Sequence, residues 1–198
     1  FLAVLAECIQ RALGVNCMAK IVFKCLQCGR CCKHLLVETE YGLAGLSLFP
    51  EEKNLFPSEL ISPNVGIGWG IPSGPKHVTT YQLNVSGCPH LSKGNLCDIH
   101  NKRPLVCQAF PLRLRERREA HIANSSQCTF IEEVEGKIGS LNRILPMTSK
   151  EFIAPKEWRV INEIRNLIDS SIIDHPMDAR VLWVFDLKNR EWQIATAV

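Results

Sequence analysis

Apolar residues recur at helical spacing near the end of the chain. Between residues 156 and 168, five of them fall on one face of a helix: Trp158, Ile161, Ile164, Leu167 and Ile168. Residues 181–187 and 192–198 are rich in β-branched and aromatic residues and flank the polar sequence Lys188-Asn189-Arg190. The pattern predicts a C-terminal helix followed by a β-hairpin. Its tryptophans, Trp158, Trp183 and Trp192, are expected to be core residues rather than a stacking surface for a ligand.

Shorter elements are predicted in the middle of the chain. Residues 46–49 predict a short strand, and Pro50 begins a helix with acidic residues in its first turn, which Pro57 is expected to end. Residues 64–75 are crowded with Gly and Pro and predict a loop, whereas residues 78–85 predict a strand.

A period-two pattern follows Cys107. Phe110, Leu112 and Leu114 alternate with other residues, which predicts a half-buried strand. Its solvent-exposed face would be lined by four arginines: Arg113, Arg115, Arg117 and Arg118. Because Glu116 and Glu119 are interleaved with them, a solvated face is favoured over a nucleic-acid surface.

The mixture of short helices and strands predicts an α+β fold: a small irregular domain cross-linked by metal, with the C-terminal helix and hairpin packed behind it. We expect a cysteine-rich metal-binding domain at residues 18–130 and a C-terminal extension at 131–198. Residues 1–17 are either an amphipathic helix or a non-native stretch before Met18. The alternative architecture has two lobes joined near Pro146 to Pro155.

The charge balance favours no particular partner. The 23 basic and 20 acidic residues give a net charge of +3, far from the excess of a dedicated nucleic-acid binder. The apolar start, Phe1 to Ala6, is interrupted by Glu7 and lacks the basic region of a signal peptide, and no run of about 20 apolar residues suits a membrane span. We therefore expect a cytoplasmic protein without a membrane or nucleic-acid partner.

Ten cysteines are too many for ordinary core packing, and the chain is too long and too apolar to depend on disulfides. The thiols are therefore predicted to be metal ligands. Eight of them fall into two dense zones and a later single position: Cys25, Cys28, Cys31, Cys32, Cys88, Cys97, Cys107 and Cys128. The other two, Cys8 and Cys17, lie outside this pattern.

The first zone reads Cys25-Leu-Gln-Cys28-Gly-Arg-Cys31-Cys32. Two successive two-residue spacers bring three thiols round one tight loop, and Gly29 permits the backbone angles that the loop needs. Bacterial ferredoxins begin with the same spacing and take a fourth ligand from a remote cysteine, a form that Cys88-Pro89 matches. Eight thiolates suit two zinc ions, one [4Fe–4S] cluster plus one zinc, or a larger iron site.

Cys32 departs from the ferredoxin pattern because it directly follows Cys31. Side chains on neighbouring residues are expected to diverge, so the pair is predicted to serve two metal centres or opposite sides of one multinuclear cluster.

The second zone contains Cys88-Pro89, Cys97-Asp98-Ile99 and Arg103-Pro104-Leu105-Val106-Cys107, followed by Phe110-Pro111 and later by Cys128. Together with the first zone, this order of motifs resembles the YkgJ-type cysteine cluster family, also called the CxxCxxCC zinc- or iron-chelating domain. The resemblance spans about half the chain and implies a metal-chelating domain with all eight motif cysteines as ligands. Two positions depart from the family: His100 replaces a common tyrosine, and Gln108 replaces a common arginine.

Several neighbours of the cysteines are further candidates. His34, His90 and His100 are either additional ligands or ordinary surface groups. The cations Arg30 and Lys33 flank the thiols and would lower their pKa. Arg103 is expected to fix the loop that leads to Cys107.

Three functions of different classes remain open. The favoured one is an iron–sulfur protein with a redox, electron-transfer or maturation role and a protein redox or substrate partner. The second is a zinc-stabilised interaction module. The third is a cluster-dependent modifying enzyme, since some proteins linked to flagellin lysine methylation resemble this family. However, no glycine-rich cofactor loop, Gly-x-Ser-x-Gly or HExxH motif supports an enzyme.

Overall fold

The structure is a computed structural model that describes residues 22–69, 74–114, 120–141, 154–175 and 181–197. The chain divides into two compact units, each described by itself below. The first unit comprises Phe1–Cys28 and Ala109–Asn162, and the second comprises Gly29–Gln108 and Glu163–Val198. The domain boundaries expected from the sequence stay a prediction.

The described elements are short and mixed, which confirms the predicted α+β class. The strands are β1 Val37–Thr39, β2 Gly42–Ala44, β3 Ser47–Leu48, β4 Ile61–Gly68, β5 His77–Leu83, β6 Leu112–Leu114, β7 Ala120–Ile122, β8 Val181–Asp186 and β9 Glu191–Ala197. The α-helices are α1 Arg30–Lys33, α2 Leu105–Ala109, α3 Thr129–Ile138 and α4 Pro155–Ile173. In the described ranges the 3-10 helices are Pro50–Leu55, Ser58–Leu60, His100–Lys102 and Ser125–Gln127. None of the described helices has the length and apolar composition that a membrane span requires.

A five-stranded antiparallel sheet organises the second unit, in the order β3-β5-β4-β8-β9. The predicted C-terminal helix and hairpin are confirmed as α4 and as β8 with β9. Trp183 is buried in β8, as expected of a core residue. Because β8 pairs with β4, the C-terminal hairpin extends the sheet formed by earlier parts of the chain.

The predicted loop at residues 64–75 is wrong in its first half, since β4 continues to Gly68. A side chain at Gly66 would place its Cβ 2.5 Å from the Pro75 ring, and one at Gly68 would lie 2.5 Å from the Lys76 nitrogen. The glycines therefore permit a close approach of the segment that leads into β5. The Gly- and Pro-rich composition predicted a loop, whereas Gly66 and Gly68 allow tight packing inside a strand.

The core of the second unit lies beneath the second cysteine zone. Its buried members are Leu35, Leu48, Phe56 and Leu83. Pro50–Leu55 forms a 3-10 helix where a helix was predicted, and Phe56 packs into the core immediately after it. The partly buried Cys88 and Ile99 pack against this cluster. The core thus packs against the chain segment that carries Cys88 and Cys97.

Asp186 fastens the C-terminal hairpin to β2. Its carboxylate accepts the backbone N–H groups of Leu43 and Lys188, both at 2.9 Å, and the Asn189 amide at 2.7 Å. Gly42 has a positive φ of 99°, and a Cβ there would overlap the Asp186 carboxyl group. This buried carboxylate therefore links the two chain segments that make up the second unit.

The first unit contains α3 and the antiparallel pair β6 and β7. The strand predicted after Cys107 is confirmed as β6. Phe23 meets Phe130 edge to face, with ring centroids 5.3 Å apart. The expected helix in residues 1–17 and the side chains of Arg115, Arg117 and Arg118 lie outside the described residues.

Candidate metal centre

The first cysteine zone turns at Gly29 into the single helical turn α1. Gly29 adopts the left-handed conformation, with a φ of 70°, as its position in the motif predicted. A Cβ at this position would lie 3.0 Å from Asn95 Cβ and 3.2 Å from Leu91 Cδ1. Glycine is therefore needed both for the turn and for its close packing on the loop between Cys88 and Cys97.

Backbone hydrogen bonds join the two cysteine zones directly. The Cys88 N–H donates to the Cys32 carbonyl at 2.8 Å, and the Leu35 N–H donates to the Ser86 carbonyl at 2.7 Å. Within the second zone, Leu91 and Cys97 form an isolated antiparallel bridge. Backbone hydrogen bonds therefore connect the loop that carries Cys88 and Cys97 to α1 and the residues that follow it.

Cys107 lies in the short helix α2, which Glu52 ties to the 3-10 helix Pro50–Leu55. The Glu52 carboxylate accepts the N–H of Leu105 at 2.7 Å through Oε1 and that of Phe49 at 2.8 Å through Oε2. The sequence indicated only an acidic residue in the first turn of a helix. Its bond to Leu105 was missed because no local pattern reports a contact between residues so far apart in the chain.

The pKa values of two thiols in the second unit, Cys88 and Cys107, are raised by burial and by neighbouring cysteines. Burial is the largest cause of the raised pKa of the Cys107 thiol. The neighbouring thiols of Cys31, Cys88 and Cys97 raise that pKa as well, and the Arg103 cation lowers it. Burial also raises the pKa of Cys88, opposed by the backbone N–H of His90, and Cys97 and Cys31 raise it again. We call Cys31, Cys88, Cys97 and Cys107 the thiol quartet.

The adjacent cysteines do not diverge as expected. The Sγ atoms of Cys31 and Cys32 lie 3.9 Å apart, because both residues occupy one helical turn rather than extended chain. Two thiolates on one tetrahedral zinc ion, each about 2.3 Å from the metal, would be separated by about 3.8 Å. The premise that the two side chains point apart is therefore wrong, whereas the assignment of the pair to separate metal centres stays a prediction.

The other predicted ligands belong to the first unit. Cys25 is exposed, Cys28 is partly buried, and Cys128 is buried at the residue that precedes α3. None of the eight motif cysteines forms a disulfide. Across the described ranges, no three Cys, His, Asp or Glu side chains are arranged to hold a metal ion. Cys8 and Cys17 fall outside those ranges.

The histidines and Arg103 have identifiable neighbours. His90 donates its Nε2–H to the Leu55 carbonyl at 2.7 Å and packs against Phe56. The Arg103 guanidinium lies 3.3 Å from His100 Nε2 and, as noted, acts on Cys107. His34 is exposed at the end of α1. His90 thus has a structural role, whereas the expected role of Arg103 in fixing the loop that leads to Cys107 stays a prediction.

The donor chemistry fits zinc or iron. Soft thiolates are preferred ligands of both metals, and a bound cation would favour ionisation of thiols whose pKa is raised by burial and by their like-charged neighbours. A small α+β chain with such a quartet has the chemistry of metal-chelating proteins.

The comparisons with known proteins agree with this class. Residues 24–129, more than half of the chain, match the family model described as "CxxCxxCC: Putative zinc- or iron-chelating domain". The chain belongs to this family, which confirms the resemblance found in the sequence and supports metal binding. Searches of curated proteins and of solved structures find no match to the chain.

Proposed function

We propose that the chain binds its metal through the thiol quartet, and that the metal is held as an iron–sulfur cluster with a redox, electron-transfer or maturation role. The observation that carries this proposal is the convergence of cysteine-bearing segments: the Cys88 N–H donates to the Cys32 carbonyl at 2.8 Å, and Cys97 pairs with Leu91 in the same loop. The pKa of Cys107 in α2 is raised by burial and by Cys31, Cys88 and Cys97. Four thiolates are the ligand set of a [4Fe–4S] cluster.

The groups around the quartet suit a negatively charged centre. The backbone N–H of His90 acts to lower the pKa of Cys88, and the Arg103 cation acts to lower the pKa of Cys107. Hydrogen bonds to sulfur and nearby charge are the means by which proteins stabilise clusters and set their potentials. Cys25, Cys28, Cys32 and Cys128 are proposed as further ligands on the family motif.

The second candidate is a zinc-stabilised interaction module. The 3.9 Å separation of the Cys31 and Cys32 sulfurs favours it, since this distance suits two thiolates on one ion. The thiolates of a cubane cluster point outward from different corners and lie farther apart. No contact among the described residues favours the third hypothesis, a modifying enzyme.

Metal and sulfide analysis of protein purified without oxygen separates these candidates. An iron–sulfur protein is expected to be brown, with iron and acid-labile sulfide in similar amounts. A colourless protein with stoichiometric zinc would support the second candidate. Protein that takes up neither metal, even when both are supplied during reconstitution, would refute both.

A further inference from the structure

We propose that Glu52 is a positioning residue of the metal centre: its carboxylate holds the segment carrying Cys107 in place against the other three thiols of the quartet. This inference rests on the proposed metal-binding role of the quartet. It concerns a residue outside both cysteine zones.

Glu52 bridges two distant parts of the second unit. Oε1 accepts the N–H of Leu105, 53 residues further along the chain, and Oε2 accepts the N–H of Phe49, so both carboxylate oxygens are engaged. The side chain is partly buried, and burial raises its pKa, while the two N–H groups oppose that effect. A carboxylate in such a place needs both hydrogen bonds to offset its lost hydration.

The segment from Arg103 to Gln108, whose Pro104 is buried, makes few other hydrogen bonds. The N–H groups of Cys107 and Gln108 both donate to the Pro104 carbonyl at 2.9 Å. The Gln108 side chain donates to the Arg103 carbonyl at 2.7 Å. Arg103 itself reaches only to His100, three residues away. Within the described parts of the chain, the bond from Leu105 to Glu52 is therefore the only long-range hydrogen bond of this segment.

Because the bond from Leu105 to Glu52 lies at the start of α2, it affects the position of Cys107. Leu105 is the first residue of α2, where helical N–H groups lack partners within the helix, and Cys107 follows two residues later. Releasing Leu105 would let α2 shift and carry the Cys107 sulfur away from Cys31 and Cys88. Outer-sphere residues that orient metal ligands typically change metal affinity by about 10- to 100-fold when they are replaced.

Glu52→Gln tests the inference, because glutamine keeps the shape but offers one acceptor oxygen for two N–H groups. Glu51→Gln is the matched control: Glu51 lies in the same 3-10 helix, carries the same charge, is exposed and has no hydrogen bond or ion pair among the described residues. Each full-length variant is titrated with Co²⁺, whose thiolate charge-transfer absorption reports the number of sulfur ligands, and its fold is checked by circular dichroism.

We expect Glu52→Gln to bind Co²⁺ about 10- to 100-fold more weakly, with reduced charge-transfer intensity, while Glu51→Gln matches the unmodified protein. In a Cys107→Ser background, Glu52→Gln should add little, because the ligand it positions is gone. A lower melting temperature with unchanged Co²⁺ affinity and spectrum would overturn the inference, since that pattern marks a purely structural role.

If Glu52→Gln does not fold, Leu105→Pro provides the second test. Proline is tolerated at the first position of a helix and removes the N–H that Glu52 accepts, while the bond from Phe49 remains. Unchanged Co²⁺ affinity in Leu105→Pro would also overturn the inference. If the unmodified protein shows no thiolate-bound Co²⁺ and takes up no iron or zinc, the proposed function itself fails.

Discussion

The second unit contains two regions that hold their shape by different means. In the sheet, β4 pairs along its length with β5 and β8, and side chains such as Ile67 and Trp183 are buried. The cysteine region consists of α1, the loop that carries Cys88 and Cys97, and α2. In it, neither α1 nor the 3-10 helix His100–Lys102 buries a single residue. Its order comes from backbone hydrogen bonds, the tight turn at Gly29 and the carboxylate of Glu52.

The difference in apolar burial between the sheet and the cysteine region leads us to expect that the stability of the cysteine region depends more on bound metal. Burial of apolar side chains offsets the entropy lost when the sheet is ordered, whereas α1 and the 3-10 helix His100–Lys102 gain no such stabilisation from a buried residue. Structural thiolate sites contribute about 10 kcal/mol or more of binding free energy in small zinc domains. We therefore expect metal to stabilise the cysteine region first, and to stabilise the sheet through the core that Cys88 shares with Leu83.

The largest expected effect is that of Cys107→Ser. A hydroxyl is a poor replacement for a thiolate with soft metals, and loss of a direct ligand should exceed the roughly 10- to 100-fold loss caused by outer-sphere changes. Most of the metal and much of the folded state should be lost, as measured by metal analysis and thermal melting. Cys28→Ser should behave similarly if Cys28 is also a ligand.

Cys8→Ser and Cys17→Ser are the controls for this prediction, because both cysteines lie outside the family motif. They should leave metal content and melting unchanged. Full metal content together with unchanged melting in Cys107→Ser would contradict the dependence of the cysteine region on metal.

Local sequence patterns predicted the regular elements well. Helical spacing from Trp158 onward indicated α4, and alternation of residue types indicated β6, since each pattern follows from one face of the element being buried. The β-branched and aromatic residues on either side of a polar turn indicated β8 and β9. The failure at residues 64–75 has a physical reason. Glycine serves both flexible loops and close packing, and only the position of Pro75 above Gly66 distinguishes them.

The site was predictable in composition but not in arrangement. Cysteine spacing identified the family and the ligand candidates, whereas the grouping of Cys31 with Cys88, Cys97 and Cys107 depends on contacts between distant segments. The proximity of the Cys31 and Cys32 sulfurs could not be predicted either, because it depends on whether the backbone there is helical or extended. Glu52 was missed for the same reason: its role depends on a partner 53 residues away.

An intermediate effect is expected for Gly29→Ala, which tests the tight turn of the cysteine region. The left-handed φ of 70° disfavours a side chain, typically by about 1–2 kcal/mol, and the new Cβ would press on Asn95. Metal-loaded protein should lose about this much unfolding free energy in urea titrations. Gly87→Ala, where an added Cβ meets nothing within 4 Å, should change little. Equal stability of the two variants would show that the turn is not required.

The smallest expected effect concerns the sheet and is a dependence on pH through Asp186. Its hydrogen bonds, first of all the one from the Leu43 N–H, lower the pKa of the Asp186 carboxyl below its ordinary value of 3.8. Because the folded state favours the ionised form, this contribution is fully present above the ordinary pKa and is lost as pH falls through the lowered folded value. Acidification from neutral pH to about pH 5 should therefore leave this contribution to stability intact.

A comparison with Asp186→Asn, which has no carboxyl group to titrate at this position, tests the prediction. The unfolding free energy of the unmodified protein should decrease more steeply below about pH 5 than that of the variant. The titration of the Asp186 carboxyl carbon, followed by NMR, gives an independent measure of the folded-state pKa. Parallel pH profiles for the two proteins, or a carboxyl that titrates at its ordinary pKa, would show that this buried link does not contribute to the stability of the sheet in the way proposed.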